Sequence, residues 1–471
     1  MKSFTAWMEQ HFVPVAAKIG SQKHLVAIRD AFIAIMPVTM AGAVATLLNV
    51  FFRDLPTEWG WKSFVSSDIV QGIIGVNGNV WWGTLAILSM VFVFALGYYI
   101  AKAYKAPALA GGVIAFAAFI AITPQVSFAE INFGDGVLLA DDFLKVFEGL
   151  GLSVGVAANG GSVVSGIGAW GNLNWSYLQA SGLFTALIVG LFSSIVYSKL
   201  INKNITIKLP DSVPPAVSKA FSAIIPGLLA IYACALIAYL VNLGTGKAIG
   251  DLILQYIQQP FLSLSQGFGA VIIVIIAVQL FWFFGIHGTN VLAPVLDGVY
   301  LAATTANNNA YLAGTAVKKL PYIWTRGSFD AYVWMGGAGC TIALIIAIII
   351  FSKKEDAKAI AKLSAPMGAF NINEPVMFGM PIVLNPVYFI PWMIVPIILT
   401  IIAYAATMLG IVPPVFTPVP WVMPPVIYAF LATGGSITAA ILALVNLAIA
   451  IFIWGIFVLI GNKVDLKDEV E

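Results

Sequence analysis

Charge is what this sequence has least of. Of its 471 residues, 23 are Lys or Arg and 21 are Asp or Glu, 9% in all, where a soluble domain carries about a quarter. Set against a hydrophobic share of 60% and a mean hydropathy of +0.96, that deficit places the chain in membrane lipid. The net charge of +2 is small and scattered, and no basic run or nucleic-acid motif is present, so no nucleic acid is expected as a partner. Cysteine is almost missing too. Cys234 and Cys340 lie inside apolar runs, which leaves neither a disulfide framework nor a CxxC metal site. There is no Walker A loop, kinase glycine-rich loop, HExxH or GxSxG. The chain therefore has no nucleotide site of its own, no cofactor or metal is expected, and any energy source is an ion gradient or another protein. The N-terminus, with Glu9, Lys18, Lys23 and Arg29, lacks the h-region and cleavage site of a secretory signal. It reads as a cytoplasmic leader, residues 1–28.

Long apolar runs are what the sequence has in excess. A spanning helix needs about 20 mostly apolar residues, and clear candidates lie near 29–51, 81–101, 180–199, 217–243, 268–286, 336–352, 391–411 and 437–460. Two weaker ones, near 107–122 and 289–306, bring the expected total to about ten. Lys and Arg gather on the cytoplasmic side of spans. Here they cluster in the leader, at Lys102 and Lys105, at Lys199, Lys203 and Lys208, from Lys353 to Lys362, and at Lys463 and Lys467. Ten spans put every cluster on one side, with both termini cytoplasmic. The opposite loops hold Asp54, Glu58, Asp68, Asp135, Asp141, Asp142 and Asp251.

Residues 123–175 are not a simple span, carrying acids and then a Gly, Ser and Asn-rich stretch. They read as an external amphipathic or re-entrant piece. The polar loop around 201–216, with Pro210, Pro214 and Pro215, resists helix continuation. It marks an expected boundary between two membrane domains, 29–200 and 217–462, ahead of a short cytoplasmic tail, 463–471. No internal repeat is evident.

Irregular backbone survives at membrane depth only where protein or a water-filled cavity surrounds it, so broken apolar segments point to a site. Two stand out: Gln279 to Pro294 (QLFWFFGIHGTNVLAP) and Pro366 to Pro386 (PMGAFNINEPVMFGMPIVLNP). In the first, Gly285 and Gly288 bracket His287, with Thr289 and Asn290 following. A neutral histidine both donates and accepts and titrates near neutrality. It could bond a sugar hydroxyl and take its proton, or simply be satisfied by a neighbouring carbonyl. Gln279, Trp282 and Asn290 nearby favour a binding role. In the second, Glu374 follows Asn373 in an apolar run, where a carboxylate costs roughly 2.5–3.5 kcal/mol on insertion scales. Vicinal sugar hydroxyls would offset that cost, with Asn371, Asn373 and Asn385 adding amide groups. An ion pair with Arg326 is the alternative.

Aromatic rings offer flat faces to a pyranose, and Trp282, Trp392 and Trp421 lie near the broken segments. Most tryptophans are interfacial anchors, but Trp421 sits in a proline-rich stretch and is the candidate for stacking. Arg326 and Asp330 (TRGSFDAYVW) are expected to pair with each other. The charged stretch KKEDAKAIAK from Lys353 reads as a solvated cytoplasmic helix, available to a soluble partner.

The segments GIHGTN around His287 and NINEPVMFGMP around Glu374, with IRDAFIAIMP (Ile28 to Pro37) near the start, resemble the signatures of the membrane subunit, enzyme IIC, of bacterial sugar phosphotransferase systems. The lactose/cellobiose/diacetylchitobiose branch is the most similar, and the likeness covers essentially the whole chain. It implies an all-α integral membrane protein of the bacterial inner membrane with the glucose-superfamily enzyme IIC fold. That fold has ten-helix protomers paired as a homodimer, an N-terminal dimerisation domain and a C-terminal transport domain with two re-entrant hairpins. It also implies a disaccharide substrate, with His287 beside the sugar C6 hydroxyl and Glu374 bonding hydroxyls. Phosphate would come from a phosphocysteine on a IIB protein, itself served by IIA. Since the chain carries no IIA or IIB region, both are expected as separate polypeptides, and a cellobiose or diacetylchitobiose type is favoured over a lactose type. An ion-coupled sugar transporter using Glu374 as its proton site is the competing reading.

Overall fold

Backbone groups in hydrocarbon have no water to bond, so spanning segments fold as helices. The computed structural model describes residues 21–134, 136–156, 160–210, 212–380, 382–383 and 385–468. Residues 1–20 of the expected leader and 469–471 of the expected tail lie outside these. Among the described residues six helices are long and apolar enough to cross a membrane: Lys23–Thr57, Asp68–Ala103, Ala180–Asn202, Pro215–Thr245, Val387–Met408 and Ile437–Asn462.

The first half is built from α1 (Lys23–Asn49), α2 (Asp68–Trp82), α3 (Leu88–Ala103), α4 (Ala108–Ile122), α5 (Asp141–Gly149), α6 (Leu183–Asn202) and α7 (Pro215–Thr245). Helices α3, α4 and α6 share a core that includes Phe92, Leu96, Ala115, Phe119 and Val189. Small residues let their backbones approach closely: a Cβ at Gly97 would lie 2.5 Å from the Ala115 Cβ and 2.6 Å from the Gly111 carbonyl. The polar loop after α6 does separate two helices. The helix that follows it, α7, nevertheless packs back onto α4 and α6.

Residues 123–175 hold the amphipathic helix α5 and depart from the all-helical expectation. Three antiparallel strands, β1 (Val126–Asn132), β2 (Ser153–Val156) and β3 (Ser162–Trp170), form a sheet in the order β1-β3-β2. Val126 pairs with Trp170, and Val154 with Val164. The β-branched Val163, Val164 and Ile167 of β3 suit a pleated ladder, and α5 connects β1 to β2.

The second half contains α8 (Phe268–Phe283), α9 (Leu301–Leu312), α10 (Arg326–Tyr332), α11 (Thr341–Phe351), α12 (Glu355–Ala369), α13 (Glu374–Gly379), α14 (Pro386–Met408), α15 (Ile427–Ala432) and α16 (Ile437–Asp468). Here the expected spans break up. Helix α8 and the preceding piece Ile249–Ser265 are bent by 81°. The run 336–352 yields only the 11 residues of α11, about 16 Å of helix, because Gly336, Gly337, Gly339 and Cys340 all adopt positive φ and end helical continuation. The run 289–306 is divided among Gly288–Val291, Ala293–Val295, a π-helical turn Leu296–Tyr300 and the start of α9. Its neighbour in expectation, 107–122, forms the single helix α4.

Candidate functional site

Breaking a helix leaves carbonyls and N–H groups that side chains must satisfy. Past the end of α8, Gly285 takes φ +75° and the chain turns so that His287 caps the short helix Gly288–Val291. Its Nδ1 accepts from the Asn290 N–H at 3.3 Å. Thr289 Oγ1 lies 3.0 Å from the same nitrogen. Only glycine fits at 288, since a Cβ there would lie 2.2 Å from the Val278 carbonyl. The second segment turns at Asn371, φ +63°. Its side chain accepts from the Gly336 N–H at 2.7 Å and donates to the carbonyls of Trp421 and Met423 at 2.6 and 2.8 Å. One amide thus ties together three irregular stretches. Glu374 follows as the first residue of α13, in the turn where helix N–H groups favour an anion.

These two breaks meet. His287 Nε2 lies 3.5 Å from Glu374 Oε1, with the side chains 38% and 43% exposed, so both reach open space. That space is a cavity of about 420 Å³ bounded by Phe32, Met36 and Thr39 of α1, the 289–301 segment, Arg326, Asp330 and Trp334, and the 371–374 turn. Its size falls within the range of small-molecule sites.

Of the residues expected from the sequence, His287, Glu374, Asn373, Asn290, Trp282 and Trp421 all line the cavity. The Trp282 ring packs on the His287 ring at 4.3 Å between centroids, and the Asn373 amide donates to the Ala338 carbonyl at 3.2 Å. Gln279 does not reach the wall. It is fully buried, its carbonyl accepts from the Trp392 indole at 2.8 Å, and its side-chain amide has no partner among the described residues. Trp392 is likewise a buried packing residue. Arg326 is held by Asp330 at 2.6 Å and Asp297 at 3.3 Å, so the alternative ion pair with Glu374 is not formed. Asp297 is a charged wall residue absent from the candidates expected from the sequence. The signal was the one that selected Glu374: a carboxylate inside an apolar run. Among the described residues no three His, Cys, Asp or Glu side chains gather as a metal site.

Residues 29–396 match the sequence family described as Phosphotransferase system, EIIC. The chain is 42% identical to the PTS system cellobiose-specific EIIC component of Lactococcus lactis subsp. lactis (strain IL1403), over 99% of each chain. It is 32% identical to the PTS system oligo-beta-mannoside-specific EIIC component of Bacillus subtilis (strain 168), over 98% of this chain and 95% of that one. Its fold is similar to the crystal structure of the transporter ChbC, the IIC component from the N,N'-diacetylchitobiose-specific phosphotransferase system. There the TM-score is 0.84, the identity 31%, and the match covers 98% of this chain and 99% of that one. The matched family takes in both broken segments and the relatives match almost end to end: this chain belongs to the phosphotransferase system EIIC family.

Proposed function

We propose that the chain is the sugar-carrying subunit of a phosphoenolpyruvate-dependent phosphotransferase system. It imports a β-linked disaccharide of the cellobiose or diacetylchitobiose type and presents the C6 hydroxyl to a separate phosphorylated IIB protein, charged in turn by IIA. Relatives named for cellobiose, an oligo-beta-mannoside and N,N'-diacetylchitobiose support this sugar class. The observation that carries the reading is the His287–Glu374 pair at 3.5 Å on the wall of a small-molecule cavity.

The chemistry follows from the ring's partners. With Nδ1 accepting the Asn290 N–H, a neutral imidazole carries its hydrogen on Nε2, facing Glu374. A hydroxyl set between the two accepts from Nε2–H and donates to the carboxylate. As the C6 oxygen attacks phosphorus and the S–P bond of the IIB phosphocysteine breaks, the hydroxyl proton passes to Glu374 while His287 fixes the oxygen in line. Proton acceptance by His287 itself needs the other tautomer, whose Nδ1–H would face the Asn290 N–H. Asn373, Asn290 and Trp421 complete the sugar contacts, and Trp282 backs the imidazole.

The membrane arrangement belongs to the same reading. The six long helices, the bent pair, α4, the broken 288–312 segment and α11 together make ten crossings. The breaks at 284–292 and 370–385 serve as re-entrant hairpins. Both termini and the Lys353 to Lys362 stretch then face the cytoplasm, where IIB docks. The first half supplies a homodimer contact and the second half the sugar site.

Binding of labelled cellobiose and N,N'-diacetylchitobiose to the purified protein tests the assignment. Glu374→Gln is expected to weaken binding about 100-fold, the loss of charge-assisted hydrogen bonds. His287→Gln keeps measurable binding but loses phosphorylation by phosphorylated IIB. Unchanged affinity in Glu374→Gln sinks the site. Uptake that follows a proton gradient and ignores phosphorylated IIB sinks the function.

A further inference from the structure

A second cavity, of about 230 Å³, lies beyond the first along the same seam. Both cavities are walled by α1 and by the chain from 289 to 312. The large one uses Thr39 and Leu301, and the small one uses Thr46 and Asn308. Each step is seven residues, about 10 Å if helical, so the two walls advance together toward the π-helical turn Val50–Asp54 that continues α1 and carries Arg53 and Asp54. Helix α2 closes the small cavity with Gly78 and Trp81, and Thr417 lines its other side.

Part of its polar lining is committed, Thr46 donating to the Gly42 carbonyl at 3.0 Å and Arg53 pairing with Asp54 at 2.7 Å, and part is not. Asn308 is 7% exposed, and its side chain has no hydrogen-bond partner among the described residues, although it faces the cavity. The flanking asparagines are committed. Asn307 donates to the carbonyls of Tyr322 and Val415 at 2.8 and 3.0 Å, and Asn309 donates to Gln179 Oε1 at 2.9 Å. Successive residues on a helix point in different directions, and of these three only Asn308 looks into the cavity. Asn49, 8% exposed, accepts from the Asn77 amide at 2.9 Å and keeps its own amide hydrogens free among the described residues. The Thr417 side chain, on a residue only 4% exposed, is likewise without a hydrogen-bond partner among the described residues. Buried amides and hydroxyls without partners cost about 1–3 kcal/mol each, so a polar ligand or water must occupy this space. Trp81 and Tyr311 on the wall add the flat apolar faces that a pyranose offers a surface for and water does not.

We propose that this cavity is a second, shallower carbohydrate site, which takes one pyranose ring of the incoming disaccharide before the sugar moves along the seam to His287 and Glu374. At 230 Å³ against 420 Å³, it offers roughly half the room of the deep cavity, space for one ring where the deep site holds two. The inference rests on the proposed function, which makes the Arg53 end of α1 the outer end.

The test uses the full chain in nanodiscs and unlabelled cellobiose, read by saturation-transfer difference NMR together with uptake in vesicles supplied with phosphorylated IIB. Glu374→Gln, which disables the deep site, should keep a weak, saturable cellobiose signal. Adding Asn308→Leu should cut that signal about tenfold, the equivalent of one good hydrogen bond, and adding the near-isosteric Thr417→Val should cut it about twofold. With Glu374 intact, Asn308→Leu should leave deep-site affinity unchanged and slow uptake at low cellobiose. No residual signal in Glu374→Gln, or one that neither Asn308→Leu nor Thr417→Val alters, means a cavity holding water alone and overturns the proposal. If Asn308→Leu fails to fold, Thr417→Val decides by the same readings. A wild type that binds neither cellobiose nor N,N'-diacetylchitobiose removes the disaccharide reading, and the second site with it.

Discussion

Around α3, α4 and α6 the chain is a set of unbroken helices packed on glycine, alanine and serine. Around His287 and Glu374 it is a set of short pieces whose ends are held by side chains. In the first region the helices run without a break and bond their own backbone along their length, so close packing depends on atoms that are missing, as at Gly97, Gly111 and Gly112. In the second, the backbone is satisfied by atoms that are present. Asn371 joins three stretches. Asn446 donates to the carbonyls of Tyr332 and Leu399 at 3.0 and 3.1 Å, and the Trp454 indole donates to the Gly339 carbonyl at 3.1 Å. A permease needs both: a scaffold that holds its shape, and a region whose backbone is open enough to bind a polar solute.

The contrast breaks most severely at Arg326. This guanidinium sits between Asp330 and Asp297, with side-chain exposures of 19%, 12% and 32%, on the wall of the deep cavity. Arg326→Leu leaves two carboxylates facing each other without a cation, and breaking such a pair costs roughly 3–5 kcal/mol. We expect loss of the folded second half, read as a large drop in denaturant midpoint in detergent. Wild-type stability in this variant would mean that the second half does not depend on its polar contacts.

The first half should break by addition rather than removal. Gly97→Ala places a methyl 2.5 Å from the Ala115 Cβ and 2.6 Å from a backbone carbonyl, so α3 and α4 must separate. Overpacking of this kind costs about 1–3 kcal/mol, again measured by chemical unfolding. Cellobiose affinity in the folded fraction should stay unchanged, since α3 meets the deep cavity only at Leu88, nine residues from Gly97, and α4 does not line it. A loss of affinity matching the loss of stability would show the two regions to be one cooperative unit.

The same contrast explains what could be read from the sequence. Hydropathy reports unbroken helices well, and α1, α3, α6, α7, α14 and α16 all coincide with expected spans. The two breaks were legible because glycine and proline beside an ionisable group have few other uses in an apolar run. The failures lie where the backbone is set by contacts distant in sequence. The span over 336–352 loses its first turns to positive-φ residues at 336, 337, 339 and 340, one of which is tied to Asn371, 35 residues away. The sheet of residues 126–170 depends on pairing between strands separated by a helix, which period alone does not reveal. Asn308 was indistinguishable from its neighbours in an NNN run, because only its direction sets it apart.

The smallest effect sharpens the comparison, because it keeps the chemistry and changes only the surroundings. Arg29 and Asp30 on α1 form an ion pair at 2.7 Å, almost the 2.6 Å of Arg326 and Asp330, yet both side chains are 31% exposed. They are also adjacent in sequence, so little chain entropy is at stake in their meeting. Exposed pairs are worth about 0–1 kcal/mol, because solvent screens the attraction and hydrates either charge when the other is removed. Asp30→Asn should therefore shift the denaturant midpoint barely, and less still in high salt, whereas Arg326→Leu should be costly at any ionic strength. Equal effects from the two would make distance rather than burial the controlling variable. The unequal effects expected here locate the second half's dependence on polar groups in their removal from water.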